Sequence, residues 1–322
     1  MPKTISVCAC WDRSTKPRSN GIEALHNSSS HILGAPFWSW ELIGAMAITF
    51  VVQGVTIGAY AARLAGVLTS RIATSISLFN LFMTFGRLAN LFSSITLGPL
   101  TDHAAERARV YYGTHDAAAL SALQGTVLWQ LRFIVFAGTV GMFAFSVMLP
   151  WFIYLFQRGV RSFERRGSIP HSLFRLADPA VLHDIIFAYR MPSADRLKSF
   201  SPGALPKRML IFNVVIYAVY SIGVVSSYYA SLLDVGAART ALSLSGIING
   251  IGTIAFTLFV DPTASLIMDE AVQGKRPTEH VRSMVFWLAV TAIIGTLISQ
   301  VILWPAAKFI EIVAHFFTHI HQ

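Results

Sequence analysis

Ser77, Asn80, Thr84, Arg87, Asn90 and Ser94 recur at steps of three and four through an otherwise apolar stretch, SISLFNLFMTFGRLANLFSSITLGPL, Ser75 to Leu100. At 100° per residue they share one broad helical face. The chemistry this pattern offers is anion recognition. A planar guanidinium presents paired donors that match phosphate oxygens, and asparagines add neutral hydrogen bonds beside it. Hydrocarbon cannot satisfy the charge, and even the mild insertion scale assigns about 2.5–3.5 kcal/mol to an arginine at a helix centre. Arg87 must therefore face protein, water or an anionic ligand. Two readings stand open: a cation for a phosphate-bearing substrate, or an internal ion pair with Glu41 or Asp261. For the asparagines the plainer alternative is interhelical hydrogen bonding, worth about 0.6 kcal/mol on average.

A second stripe, Ser245, Gly246, Asn249, Gly250, Thr253 and Thr257, has the same character. The two surroundings align. Arg71 and Arg239 each follow a short glycine-containing link; Ser77 and Ser245 come six residues later, then Asn80 and Asn249. Each stretch passes a proline, Pro99 or Pro262, and ends at an aspartate, Asp102 or Asp269. The alignment predicts a duplicated unit of three spans. Three is odd, so the second copy enters the bilayer from the opposite face, an arrangement typical of transporters with a midplane path between the halves. Gly54 with Gly58, and Gly246 with Gly250, form GxxxG pairs that predict close helix packing.

The elements that position these residues follow from composition. Of 322 residues, 54% are hydrophobic and 13% charged, about half the charge of a soluble domain. The pattern predicts an all-α, polytopic integral membrane protein. Six spans are expected: 37–62, 72–100, 131–156, 209–233, 240–259 with an extension through VDPTASLIMD, and 283–308. Residues 1–36 read as a polar tail without a signal-peptide core, 37–156 as the first repeat, and 209–322 as the second. Between them, residues 157–208 hold ten Lys or Arg against four acids, which places this loop in the cytoplasm by the positive-inside rule. Within it, HSLFRLADPAVLHDIIFAYR suits interfacial amphipathic helices. The N-terminal Lys3, Arg13, Lys16 and Arg18 argue for the opposite orientation.

Other chemistry finds little footing. Cys8 and Cys10 are too close to staple distant parts, and His315 with His319 has metal-pair spacing but no acidic or Cys partner following. GxSxG, HExxH and Walker A signatures are absent from the sequence. No catalytic residues, cofactor, metal or nucleic-acid partner are expected.

The segment YAARLAGVLTSRIATSISLFNLFMTFGRLANLF…LGPLTD resembles the first half of the Amj-type lipid II flippases, the family described as alternate to MurJ. SIGVVSSYYASLLDVGAARTALSLSGIINGIGTIAFTLFVDPTASLIMD resembles that family's other marked stretch, with LSGxxNG and VDP. Together they cover about a third of the chain, in the family's order. Where the family carries a serine before the arginine, this chain has Gly86. The resemblance implies a multi-pass protein of the bacterial cytoplasmic (inner) membrane that translocates lipid II, undecaprenyl-pyrophosphate-linked disaccharide-pentapeptide, for cell-wall synthesis. It makes Arg87, Arg71, Arg63 and Arg239 candidate phosphate contacts. Asn80, Asn90, Asn249, Ser77 and Ser245 become candidate head-group contacts, and Asp102, Asp261, Asp269 and Glu41 candidate gating or charge-balancing groups. A secondary transporter or flippase for another anionic or polyprenyl-linked glycan fits the same residues.

Overall fold

In the computed structural model, residues 37–166 and 200–320 are described, apart from the side chains at positions 87, 89–91, 164–166, 204 and 319. Residues 1–39 and 40–322 form separate units. In the first, Phe37 and Trp38 meet edge to face, with ring centroids 5.4 Å apart. Cys8, Cys10, the HSLFRLADPAVLHDIIFAYR segment and the His319 side chain lie outside the described residues.

Among its described residues the second unit is built of helices joined by short links. Its elements are α1 (Trp40–Thr69), α2 (Ile72–Gly113), α3 (Ala117–Val147), α4 (Leu149–Arg166), α5 (Lys207–Tyr220), α6 (Gly223–Leu233), α7 (Ala238–Ala255), α8 (Asp261–Val272) and α9 (Thr278–His319). A short 3-10 turn, Pro202–Ala204, precedes α5, and a π segment, Phe256–Val260, joins α7 to α8. Among the described residues, five stretches are long and apolar enough to cross a membrane: α1, α3, α5 with α6, α7 through α8, and α9. The chain is therefore a multi-pass membrane protein. The expected span 72–100 is helical within α2, where the apolar stretch is the shorter Ile72–Gly86.

Hydrogen-bonded turns link the helices tightly. After α1, Ser70 takes a positive φ of 55°. Its N–H donates to the Val67 carbonyl at 3.1 Å, and the Arg71 N–H to that of Gly66 at 2.9 Å, the paired bonds of a Schellman cap. His115 repeats the device after α2, with Asp116 bonding the Tyr111 carbonyl at 3.1 Å. Asp116 then caps α3 by accepting from the Ala119 N–H at 2.9 Å.

Three expected spans are interrupted. The span expected at 131–156 begins earlier, at Ala117, and breaks at Met148. Pro150, two residues on, has no N–H to give the Ser146 carbonyl, which weakens the helix where it breaks. The chain restarts as α4, whose Leu149, Phe152, Phe156 and Val160 form a buried stripe beneath an arginine-bearing face. The expected span 209–233 breaks at Ser221–Ile222, between α5 and α6. In the fifth, Pro262 would have bonded Leu258. The backbone widens instead, and the Asp261 N–H reaches back five residues to the Phe256 carbonyl. Such single π turns frequently mark functional positions.

α1 is the central post. It packs on α2, α3, α4, α8 and α9, and from Val52 to Val67 all its residues but Val55 are buried. The Phe50 carbonyl fills the space a side chain at Gly141 would need, so α1 and α3 touch backbone to backbone. Across α9, Trp287 and Trp304 stand 17 residues apart, about 26 Å at 1.5 Å per residue, close to the thickness of a bilayer's hydrocarbon core. Contacts mark two ends of the bundle. Ser70 and the α8–α9 link lie at one; Tyr112, bonded to the Leu233 carbonyl at 3.2 Å, and Asp234, bonded to His315 at 2.9 Å, lie at the other.

Candidate functional site

One face of α1 carries Thr56, Tyr60 and Arg63, at i, i+4 and i+7. The Tyr60 ring is fully buried, stacked between Phe79 of α2 and Phe256 of the π segment at 6.4 and 6.5 Å. Its hydroxyl lies 2.9 Å from that of Tyr217 and 3.3 Å from Asn213 Oδ1, both on α5. Asn213 Nδ2 donates to the Leu288 carbonyl at 2.9 Å and to Thr291 Oγ1 at 2.8 Å, both on α9. This network ties α1, α5 and α9 together, and every member answers another, as a buried polar cluster requires.

One turn further along, Arg63 forms an ion pair and hydrogen bond with Asp261. Its guanidinium carbon stands 4.2 Å over the Phe79 ring, and its Nε is buried without a partner. The Arg63 side chain is 4% exposed, against 28% for Asp261. The π turn serves this contact, since it sets Asp261 at the start of α8 where α1 passes. A buried charge kept in this way is neutralised in place, yet one partner still touches the outside.

Toward mid-depth the network opens into a cleft. It is narrow, with about 30 Å³ of free space, and is lined by Thr56 of α1, Met83 and Gly86 of α2, Tyr217 and Tyr220 of α5, and Gly252 and Thr253 of α7, among others. The cleft thus lies between the two sequence halves. A side chain at Gly86 would first meet Thr56 Oγ1, at 3.4 Å, so the glycine keeps the wall open where a serine would narrow it. Arg87 follows it directly on α2.

The sequence-derived candidates are distributed unevenly. Arg63 and Asp261 come together. Arg71 is exposed at the N-cap of α2, and Arg239 exposed in the first turn of α7. Ser77, Asn80 and Thr84 do not face inward as their stripe predicts: all three are exposed, and the α2 side turned to the bundle carries Ser75, Leu78, Phe79 and Gly86. The exposed hydroxyls satisfy themselves, Ser77 on the Ala73 carbonyl at 3.1 Å and Thr84 on that of Asn80 at 2.8 Å, so no neighbouring helix is needed. Ser245 bonds the Leu242 carbonyl at 2.7 Å. Asn249 presses its amide oxygen into the space at Gly223, beside the α5–α6 break, where that oxygen is buried without a partner. Asp102 and Asp269 are exposed, and Glu41 lies in the first turn of α1. Arg87 and Asn90 hold positions on α2 whose side chains are outside the described residues.

The paired glycines also part company. Gly54 and Gly58 lie against Phe145 and Phe152, as expected of a packing motif, whereas Gly246 and Gly250 face open space. His315 meets Asp234 at 2.9 Å, and the side chain of its spacing partner His319 is outside the described residues. Tyr60, Asn213, Tyr217 and Thr56 were not singled out from sequence. The i, i+4, i+7 spacing of Thr56, Tyr60 and Arg63, and a lone asparagine inside the apolar run IFNVVIYAVY, are the signals that find them.

Comparison with known proteins places most of the chain in one family. A sequence model of the family described as "Amj: Alternate to MurJ" matches residues 48–314. The chain is 32% identical over 253 residues to "Lipid II flippase Amj" of Bacillus subtilis (strain 168), covering 78% of this chain and 88% of the relative. No solved structure matches. With both marked stretches and the cleft between them inside the matched region, this chain belongs to the Amj family.

Proposed function

We propose that this chain is a lipid II flippase of the bacterial cytoplasmic membrane, moving the undecaprenyl-pyrophosphate-linked precursor from the inner to the outer leaflet without a covalent step. The observation that carries the reading is the mid-depth cleft between the halves, with Gly86 on one wall and the Arg63–Asp261 pair beyond Tyr217 and Phe256. The relative's printed activity supports it. A pyrophosphate needs cations along its path, while the polyprenyl tail stays in hydrocarbon. Arg63, held by Asp261 when the path is empty, exchanges one anion for another as the pyrophosphate arrives; Arg87 is the contact at mid-depth. The exposed Ser77, Asn80 and Thr84 then line the lateral side through which head and tail stay connected.

Counting α2, the chain crosses the membrane six times, as two inverted units of three. The Ser70 end faces the cytoplasm, because Arg71, Arg158, Arg161, Lys207, Arg208, Lys275, Arg276 and Arg282 gather there. The deciding experiment depletes a cell's other lipid II flippases, supplies this chain, and labels lipid II in the outer leaflet. Growth and outer-leaflet labelling are expected with the wild type and lost with Arg87→Ala at equal protein level. Normal labelling by Arg87→Ala removes that residue's role. Growth failure of the wild type, with lipid II accumulating inside, refutes the substrate. Cysteines at positions 71 and 113 fix orientation, the first expected to react only from the cytoplasm.

A further inference from the structure

A second cavity lies away from the cleft, on the outer surface between α3 and α9. It encloses about 430 Å³ and is lined by Trp129, Arg132, Phe133, Phe136, Gln300 and Val301; none of these lines the cleft. Trp129, Phe136 and Val301 are 56%, 51% and 73% exposed, so the cavity opens toward lipid. Among the described residues, Arg132 is the one charged residue in its wall. Its guanidinium carbon stands 5.0 Å from the Trp129 ring centroid, and its Nε is buried without a partner. Among the described residues no carboxylate is within ion-pair distance of it. Glu311, on the same stretch of α9 as Lys308, is engaged by that lysine at 2.7 Å. The nearby Tyr229 of α6 is buried. Gln300 Nε2 donates to the Arg132 backbone carbonyl at 3.2 Å, which locks α3 and α9 in register and leaves the side chain to the cavity.

We propose that this cavity binds the phosphodiester of an anionic glycerophospholipid such as phosphatidylglycerol, through Arg132. Depth favours that occupant. Trp129 and Trp304, residues typical of the headgroup level, stand about one turn from Arg132 and Gln300 toward the Asp116 end. The long arginine reaches that level by snorkelling, and phosphate is the anion found there. Beside and below Arg132, Val301, Phe133 and Phe136 present an apolar track for one acyl chain. A zwitterionic lipid brings its own ammonium to the phosphate and gains less from the guanidinium.

The test uses the purified full-length chain in detergent, mixed with equal amounts of phosphatidylglycerol and phosphatidylcholine, and native mass spectrometry to count the retained lipids. The wild type is expected to retain phosphatidylglycerol preferentially. Arg132→Gln should lower that preference by about fivefold, the effect of one basic residue at a membrane surface. Arg132→Lys should keep part of it, having charge but no fork. Val301→Trp fills the cavity from an open position and should displace the lipid while leaving thermal unfolding unchanged, so it decides the matter if Arg132→Gln fails to fold. Wild-type preference in Arg132→Gln, or undiminished binding in Val301→Trp, overturns the proposal. So does displacement of the lipid by inorganic phosphate alone, which would make the site one for free phosphate.

Discussion

α1 and α7 carry the same small-residue motif and do opposite things with it. On α1, Gly54 and Gly58 let Phe145 and Phe152 press against the backbone, and nearly every residue in the second half is buried. On α7, Gly246 and Gly250 meet open space, and Ala241 and Gly252 are its buried residues. Spacing alone does not distinguish a glycine that admits a neighbour from one that leaves room. The difference makes α1 the fixed post and α7 a lightly held wall beside the cleft, interrupted at its end by the π turn. A transporter needs both: a frame that does not yield and a surface that does.

The sharpest way to break the comparison is at Gly141, on the other side of the α1 seam. Gly141→Leu must displace the Phe50 backbone and is expected to cost more than about 4 kcal/mol, read as loss of a monodisperse, cooperatively unfolding protein. Asp261→Ala strands Arg63, 4% exposed, and should cost about 3 kcal/mol, the lower range for breaking a buried pair because Asp261 itself is partly exposed. Replacing both partners with leucines should recover most of that loss, and thermal unfolding of the singles and the double completes the cycle. Asn213→Leu removes two donated bonds to α9 and should cost about 1–2 kcal/mol.

A smaller effect is expected at the Asp234–His315 contact. Burial pushes the Asp234 carboxyl up, but hydrogen bonds from His315, Ala237 and Gly236 outweigh it and hold the group below the usual carboxylate range. A depressed native value means the stabilisation is present above the ordinary carboxylate range and is lost as pH falls through it. His315→Ala should therefore flatten the acid limb of stability by less than about 1 kcal/mol, since the His315 side chain is 60% exposed. Smallest of all, Gly250→Ala should change stability by no more than about 0.5 kcal/mol. An effect there as large as at Gly141 would end the distinction between post and wall.

Much of this molecule was legible in its apolar runs, because lipid forces backbone bonds into helices and the runs mark them. The break at Met148 was also marked, by Pro150, but the apolar stretch continues through it and hides the change. The stripe on α2 misled for a different reason. Serine and threonine bond their own helix's carbonyls, so a polar face predicts neither burial nor a partner. Arg63 and Asp261 are 198 residues apart, and only the π turn that accommodates Pro262 explains why they meet. Proximity of that kind has no local signature.

The spacing of Trp287 and Trp304 has a consequence for the membrane itself. Anchors about 26 Å apart suit a bilayer somewhat thinner than the average hydrocarbon core of about 30 Å. In a thicker bilayer the mismatch must be absorbed by drawing lipid inward around the protein or by pulling an anchor from its headgroup level, at a fraction of a kcal/mol per Å. Acyl-chain length in reconstituted vesicles then becomes a control on activity, acting through the solvent rather than through any residue of the cleft.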